Sequence, residues 1–318
     1  MEFDYIGVIA IVGDEGSCKT TMALSFPKPI FHFDLDVGGF ARAAWRLSIE
    51  NPEIRIKRCE ADEDLTQIDF SQFDVITKPY PKPLNVNKLL GQLLGKGPNQ
   101  ASVRQIQVPK RVEGMRELWQ TFITDFVYVC SQPVAAIDLD SATMLWSTAH
   151  NARLQELQEI QVYKWGKDTV TKNTPMPEDE YRERLQPIEY GPPNERMTTL
   201  LQTSRSFRKN LILTHYPTDE YGMIPDGKGG MKEGKTGTLV IDGFKHTAKL
   251  CDLIVWTSVK ESTVVVEGKT KIVRQPTAKI AKCGIEGMGL DAVGTEIAAS
   301  FDGIVSLRNL MRGGNSNA

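Results

Sequence analysis

The sequence predicts an α/β fold, a mostly parallel sheet with helices on both faces and an antiparallel hairpin added late in the chain. Three observations lead there. Short apolar runs rich in β-branched residues alternate with helical patterns, the first of these runs ends in a glycine-rich turn, and two strand-like runs around a tight turn follow near the end. With 318 residues, 41% hydrophobic and 25% charged, the chain has enough apolar material for a large core. We expect one elaborated domain over residues 1–310, carrying long loop insertions, and a disordered tail over 311–318.

Residues 5–12, YIGVIAIV, form the first strand, apolar throughout as a strand buried on both faces must be. They lead directly into GDEGSCKTT, residues 13–21. TTMALSF has helix-forming character and stops before Pro27, and IFHFD at 30–34 resumes a strand, completing a βαβ start. Met115, Leu118, Trp119, Phe122, Ile123, Phe126, Val127 and Cys130 recur at three-and-four spacing, which makes a core helix. VAAIDLD at 134–140 is another buried strand, followed by the helical SATMLWSTAHNARLQELQEI. The polar helix NERMTTLLQTSRSF precedes the strand NLILTHY at 210–216. Residues 253–283 read as a hairpin around Glu-Gly-Lys, and 294–310 as a closing helix. Residues 78–109, 164–193 and 217–237 read as long loops, which in compact domains usually carry function.

A formal net charge of −2 excludes the strongly basic footprint of a constitutive nucleic-acid binder but not a local basic patch. The five cysteines, Cys18, Cys59, Cys130, Cys251 and Cys283, lack metal-ligand spacing, and nothing before them reads as a signal peptide, so a reducing cytoplasmic setting is expected. No apolar run approaches the roughly 20 residues of a membrane span, and no membrane role is expected.

GDEGSCKTT is the stretch that carries chemistry. A phosphate loop works because backbone N–H groups at a helix N-terminus converge on phosphate oxygens, a lysine reaches the terminal phosphates and a hydroxyl ligates Mg²⁺. Gly13 opens the turn, Asp14, Glu15, Gly16, Ser17 and Cys18 form the loop, Lys19 is the phosphate lysine, Thr20 the Mg²⁺ ligand, and Thr21 completes the motif. The strand before and the helix after it are the context such a loop requires. The competing reading is a chance glycine-rich turn with a solvated Lys19. Cys18 stands where a glycine is expected, and its Cβ costs room beside the phosphates.

The loop, with an acidic residue two places after its first glycine and a doubled threonine, looks like the RecA-type variant. FPKPIFHFDLDVGG and DSATMLW resemble the RecA-like ATPases of bacteriophages, a group that includes single-strand-annealing recombinases and phage nucleotide-binding proteins. The resemblance runs in element order from Ile6 to about Gly284. It implies a RecA-like fold, ATP and Mg²⁺ as cofactors, single-stranded DNA as a partner, assembly with neighbouring copies as filament or ring, a possible single-strand-binding protein as a further partner, and, for a phage protein, the host cytoplasm.

Carried over residue by residue, the resemblance makes Asp140, which precedes Ser141 at a strand end, the Walker-B acid on Mg²⁺, with Asp138 on the same strand face as its rival. Capping of the following helix by Asp140 or Ser141 is the plainer alternative. Asp36, two residues beyond Asp34, takes the place of the base that activates water, one methylene shorter than the family's glutamate. Thr214 and His215 stand where a polar side chain senses the γ-phosphate. Lys279 and Lys282 stand where a neighbour's lysines reach it; the plainer alternative is a pair of edge-strand lysines that discourage aggregation. Lys164, Trp165 and Lys167, with Lys228, Lys232 and Lys235, fall in the two segments where such relatives bind DNA, and lysines interleaved with an aromatic suit single strands. A solvated loop is the plain reading there.

The function expected is ATP binding and hydrolysis coupled to single-stranded DNA in phage-type recombination or annealing, a DNA-dependent ATPase. Two other classes compete. One is a nucleotide-dependent accessory module, such as a helicase loader or replication factor, with little turnover. The other is a small-molecule kinase, for which Arg182 and Arg184 would have to serve a lid.

Overall fold

In this computed structural model the described residues are 5–36, 38–83, 110–168, 174–225, 227, 230–266 and 269–314. The chain runs β1 (Val8–Val12), α1 (Lys19–Ala23), β2 (Ile30–Asp34), α2 (Gly39–Glu50), β3 (Ile56–Arg58), β4 (Val75–Pro79), α3 (Met115–Ser131), β5 (Ala136–Asp140), α4 (Ala142–Trp165), α5 (Gly191–Ser206), β6 (Asn210–His215), β7 (Pro217–Pro225), β8 (Met231–Ile241), α6 (Thr247–Leu250), β9 (Leu253–Val266), β10 (Lys269–Cys283), β11 (Glu296–Ala298) and α7 (Phe301–Gly314).

Nine strands form one sheet in the order β11-β10-β9-β1-β6-β5-β2-β4-β3. From β9 to β3 every neighbouring pair is parallel, and β10 and β11 continue the sheet antiparallel. This is the expected arrangement, a mostly parallel sheet with an antiparallel extension. β1 shows why the sheet is covered on both sides. Val8, Ala10 and Val12 pack with α3, α4 and α5, whereas Ile9 and Ile11 pack with α1, α2 and α7. All five are 0% exposed, and burial of each Val or Ile contributes on the order of 1.5–3 kcal/mol. The continuous apolar run is thus the signature of a strand sandwiched between two helical layers.

Three sequence readings are corrected. Within the stretch read as a loop at 217–237, residues 217–225 and 231–237 are strand, because β7 and β8 pair antiparallel as a separate two-stranded sheet. Most of this hairpin is exposed, so it has no buried face to impose an apolar period, and its glycines hid it. Gly222 and Gly234 face each other across the ladder. Within 294–310, Glu296–Ala298 are the edge strand β11, paired with Thr277–Lys279, and the helix begins only at Phe301. That helix reaches past the boundary read at residue 310. Finally, α4 extends to Trp165, so Lys164 and Trp165 end a helix of 24 residues rather than begin a loop.

The sheet order places the ends of β1, β6, β5 and β2 side by side along one edge. Gly13, His215, Asp140 and Asp34 close or follow those strands. In parallel α/β sheets this carboxyl edge is where ligands bind.

Candidate phosphate-binding site

The loop after β1 is shaped by close packing at its start and by left-handed backbone at its end. A Cβ on Gly13 would fall on Ser17 Oγ and Thr257 Oγ1, so only glycine fits there. Ser17 Oγ lies 2.9 Å from Thr257 Oγ1, which donates to the Val12 carbonyl, pinning the loop to β9. Gly16 (φ 78°) and Cys18 (φ 70°) adopt left-handed conformations. The second is the position where the motif expects glycine, and glycine is what such a φ favours. Asp14, Glu15 and Gly16 are exposed, while Ser17 is buried and Thr21 half-buried.

Lys19 is the first residue of α1 and is buried. Its ammonium donates to the carbonyls of Gly13 (2.7 Å) and Asp14 (2.9 Å) and lies 4.4 Å from the centre of the Tyr216 ring. Burial lowers its pKa, against the opposing pull of Asp140, Asp14, Asp36 and Glu15. The loop's own carbonyls therefore hold the charge in the place a phosphate would take over.

Thr20 Oγ1 donates to Asp140 Oδ2 at 2.6 Å, and Thr214 Oγ1 donates to Asp140 Oδ1 at 2.5 Å. Both oxygens of a carboxylate that is 6% exposed are thus oriented by hydroxyls, one from the start of α1 and one from the end of β6. Ser141, not Asp140, caps α4, its side chain accepting from the Met144 amide. Asp138 sits apart from the loop. It is fully buried, 2.7 Å from His32 Nδ1 on β2, and burial raises its pKa to about 6. Of the two acids, Asp140 is the one that meets the loop hydroxyl.

Asp36 accepts a hydrogen bond from the Tyr216 hydroxyl. Burial first, and Asp36 second, raise the pKa of that phenol. Nothing in the sequence pointed to Tyr216, yet it touches both Lys19 and Asp36; its position directly after Thr214-His215 at the end of β6 was the available signal. His215 is fully buried, its Nδ1–H donating to the Asp242 carbonyl at 3.0 Å, and burial lowers its pKa to about 4. It is a neutral imidazole at physiological pH. Gly13 N–H donates to the His215 carbonyl, so β6 touches the loop through its backbone as well.

A cleft of about 570 Å³ opens over Cys18, Lys19, Thr20 and Asp140, bounded by Tyr216 on one side and by Arg42, Trp45 and Arg46 of α2 on the other. The α2 wall was not read from the sequence.

The remaining candidates lie elsewhere. Lys164 and Lys167 are exposed, Lys167 stacking on Tyr163 at 4.4 Å, and Trp165 Nε1 donates to the Thr174 carbonyl. On the hairpin, Lys232 is exposed and Lys235 pairs with Asp219 at 2.5 Å. Lys228 lies outside the described residues. Lys279 is exposed, but Lys282 donates to the carbonyls of Ala248, Lys249 and Cys251, closing the end of α6. Arg182 is held by Glu189 within a helix-capping arrangement.

No family model matches this chain, and no curated protein matches it. Among solved structures, a KaiC-like protein from the hyperthermophilic archaeon Pyrococcus horikoshii OT3 is similar over 93% of this chain and 86% of its own, at 10% identity and a TM-score of 0.36. A likeness so loose implies neither an activity nor a partner. Among the described residues no helix is long and apolar enough to cross a membrane.

Proposed function

We propose that this chain is a Mg²⁺-dependent ATPase of RecA-like build. The observation that carries the reading is the 2.6 Å contact between Thr20, beside the loop lysine, and Asp140, 120 residues later, at the mouth of the cleft. A hydroxyl and a buried carboxylate at this distance fit a hard divalent cation, which prefers oxygen donors. Bound there, Mg²⁺ would neutralise charge on the terminal phosphates.

The chain's own groups supply the rest. Lys19 leaves the carbonyls of Gly13 and Asp14 for phosphate oxygens, exchanging neutral acceptors for charged ones. Thr214 keeps the Asp140 carboxylate oriented, so no reorganisation is needed as charge develops. Asp36 accepts the proton of the attacking water once the Tyr216 hydroxyl swings away.

Single-stranded DNA is the polymer we assign to this ATPase, in recombination or annealing of the phage type, with neighbouring copies assembling along the strand and a single-strand-binding protein as a further partner. Support comes from the exposed Lys164 and Lys167 flanking Trp165, and from the hairpin lysines that follow the strand carrying Thr214. The accessory-module reading has its own support in the Tyr216 hydrogen bond, which occupies the candidate base.

Phosphate release from ATP, measured with and without single-stranded DNA, decides between them. DNA-stimulated release that Lys19→Ala abolishes supports the first reading. Nucleotide binding without stimulated release supports the second.

A further inference from the structure

We propose that the chain holds a second divalent cation, a first-row transition ion such as Mn²⁺ or Zn²⁺, in a buried site formed by His32, Asp138 and Asp140, independently of nucleotide. His32 and Asp138 are register partners on β2 and β5, and Asp140 is two residues further along β5 on the same face. One ligand atom from each of the three lies within 4.8 Å of the others. Exposure is 0% for His32 and Asp138 and 6% for Asp140.

A plain cross-strand hydrogen bond accounts for only half of this arrangement. It uses His32 Nδ1 and Asp138 Oδ2, and leaves His32 Nε2 and Asp138 Oδ1 buried without a partner among the described residues. Buried polar atoms are nearly always satisfied, because each bare one keeps its full desolvation cost. Charge points the same way. Two carboxylates face at most one imidazolium, and Asp34 adds negative potential at His32 and Asp138. Lys19, the cation nearest Asp140 in the loop, donates to the Gly13 and Asp14 carbonyls instead.

The donor set selects the ion. An imidazole nitrogen with two carboxylates favours Mn²⁺, Zn²⁺ or Co²⁺ over Mg²⁺, which prefers oxygen alone. Asp140 is shared with the Thr20 site: Oδ2 accepts from Thr20 and Oδ1 from Thr214, and one of its oxygens lies within 4.8 Å of the His32 and Asp138 ligand atoms. A carboxylate bridging two ions is the arrangement that clamps attacking and leaving oxygens in phosphoryl chemistry. Entry is from the cleft, whose lining includes Asp140.

The test uses the full chain, stripped of metal by chelator and free of nucleotide. Mn²⁺ is titrated and bound ion is read by electron paramagnetic resonance, with electron spin echo modulation reporting a coordinated nitrogen. We expect tight binding of one ion with histidine ¹⁴N modulation in the wild type. Affinity should fall at least tenfold in His32→Gln and in Asp138→Asn. Absence of ¹⁴N modulation in the wild type overturns the proposal whether or not the variants fold. Undiminished affinity in a folded His32→Gln does so too, leaving the pair as a structural cross-strand bond. Failure of ATP hydrolysis would not bear on this result, since nucleotide takes no part in it.

Discussion

Replacing Cys18 by glycine should stabilise the protein and leave nucleotide binding intact or improved. Cys18 holds φ 70° and ψ 25° immediately before Lys19. For a residue with a Cβ the left-handed region costs roughly 1–2 kcal/mol. Glycine removes that cost but loses more freedom on folding, about 0.5–1 kcal/mol. The net gain is therefore about 0.5–1 kcal/mol. An unfolding entropy of about 2.1 cal/mol/K per residue over 318 residues turns 1 kcal/mol into about 1.5 °C, so Cys18→Gly should melt about 1 °C higher. Cys18→Ala removes the sulfur and keeps the Cβ, so it should melt with the wild type. Scanning calorimetry of the three proteins separates backbone strain from loss of the thiol. A second readout is alkylation. The other four cysteines are buried, so native protein should take up one equivalent of label, at Cys18, with nucleotide binding lost and ATP protecting the thiol. A glycine variant that melts at or below the wild type would refute the strain argument, and undiminished ATP binding after complete labelling would refute the placement of Cys18 against the phosphates.

Three further outcomes are expected. Lys19→Ala should abolish phosphate release from ATP, and Asp140→Asn should lower Mg²⁺-dependent release more than Asp138→Asn; the opposite order in steady-state assays would transfer the loop-facing role to Asp138. Trp165→Ala should weaken single-stranded DNA binding by roughly 1–3 kcal/mol with little change in salt slope, whereas alanine at Lys228, Lys232 and Lys235 together should flatten the slope, both read by fluorescence anisotropy across salt concentrations. His215 stays neutral in the fold down to about pH 4, while its unfolded counterpart takes a proton near pH 6.5. Its contribution is therefore fully present above pH 6.5 and is lost as pH falls towards 4, about 3 kcal/mol in all. The stability of the wild type relative to His215→Gln, measured by urea unfolding, should fall over that window, and a flat difference would mean the imidazole is not buried neutral.

What the sequence disclosed was what is contiguous in it. The loop, its flanking strand and helix, and Asp140 at a strand end all lie in short apolar runs with punctuation that physics makes specific. The contacts that complete the site were hidden because they join distant positions: Tyr216 to Asp36 over 180 residues, and His32 to Asp138 over 106. Thr214 was read as a γ-phosphate sensor by resemblance, and its tie to Asp140 needed the β5–β6 pairing. Helix α2 opens on Gly38 and Gly39, so its start carried no capping side chain to announce it. Edge strand β11 has only three residues and no alternation long enough to compete with a helical pattern.

The strand that carries the loop has consequences for how the chain is made. β1 lies between β6 and β9, so its neighbours are synthesised roughly 200 and 245 residues after it. At 5–20 residues per second, a growing chain waits about 10–40 s between finishing β1 and finishing the first strand that can pair with it. Throughout that interval an uninterrupted apolar segment, VIAIV, has both backbone edges open. Slower growth temperatures lengthen the wait, whereas a chaperone that shields the segment shortens its exposure, and soluble yield should follow the chaperone rather than the temperature.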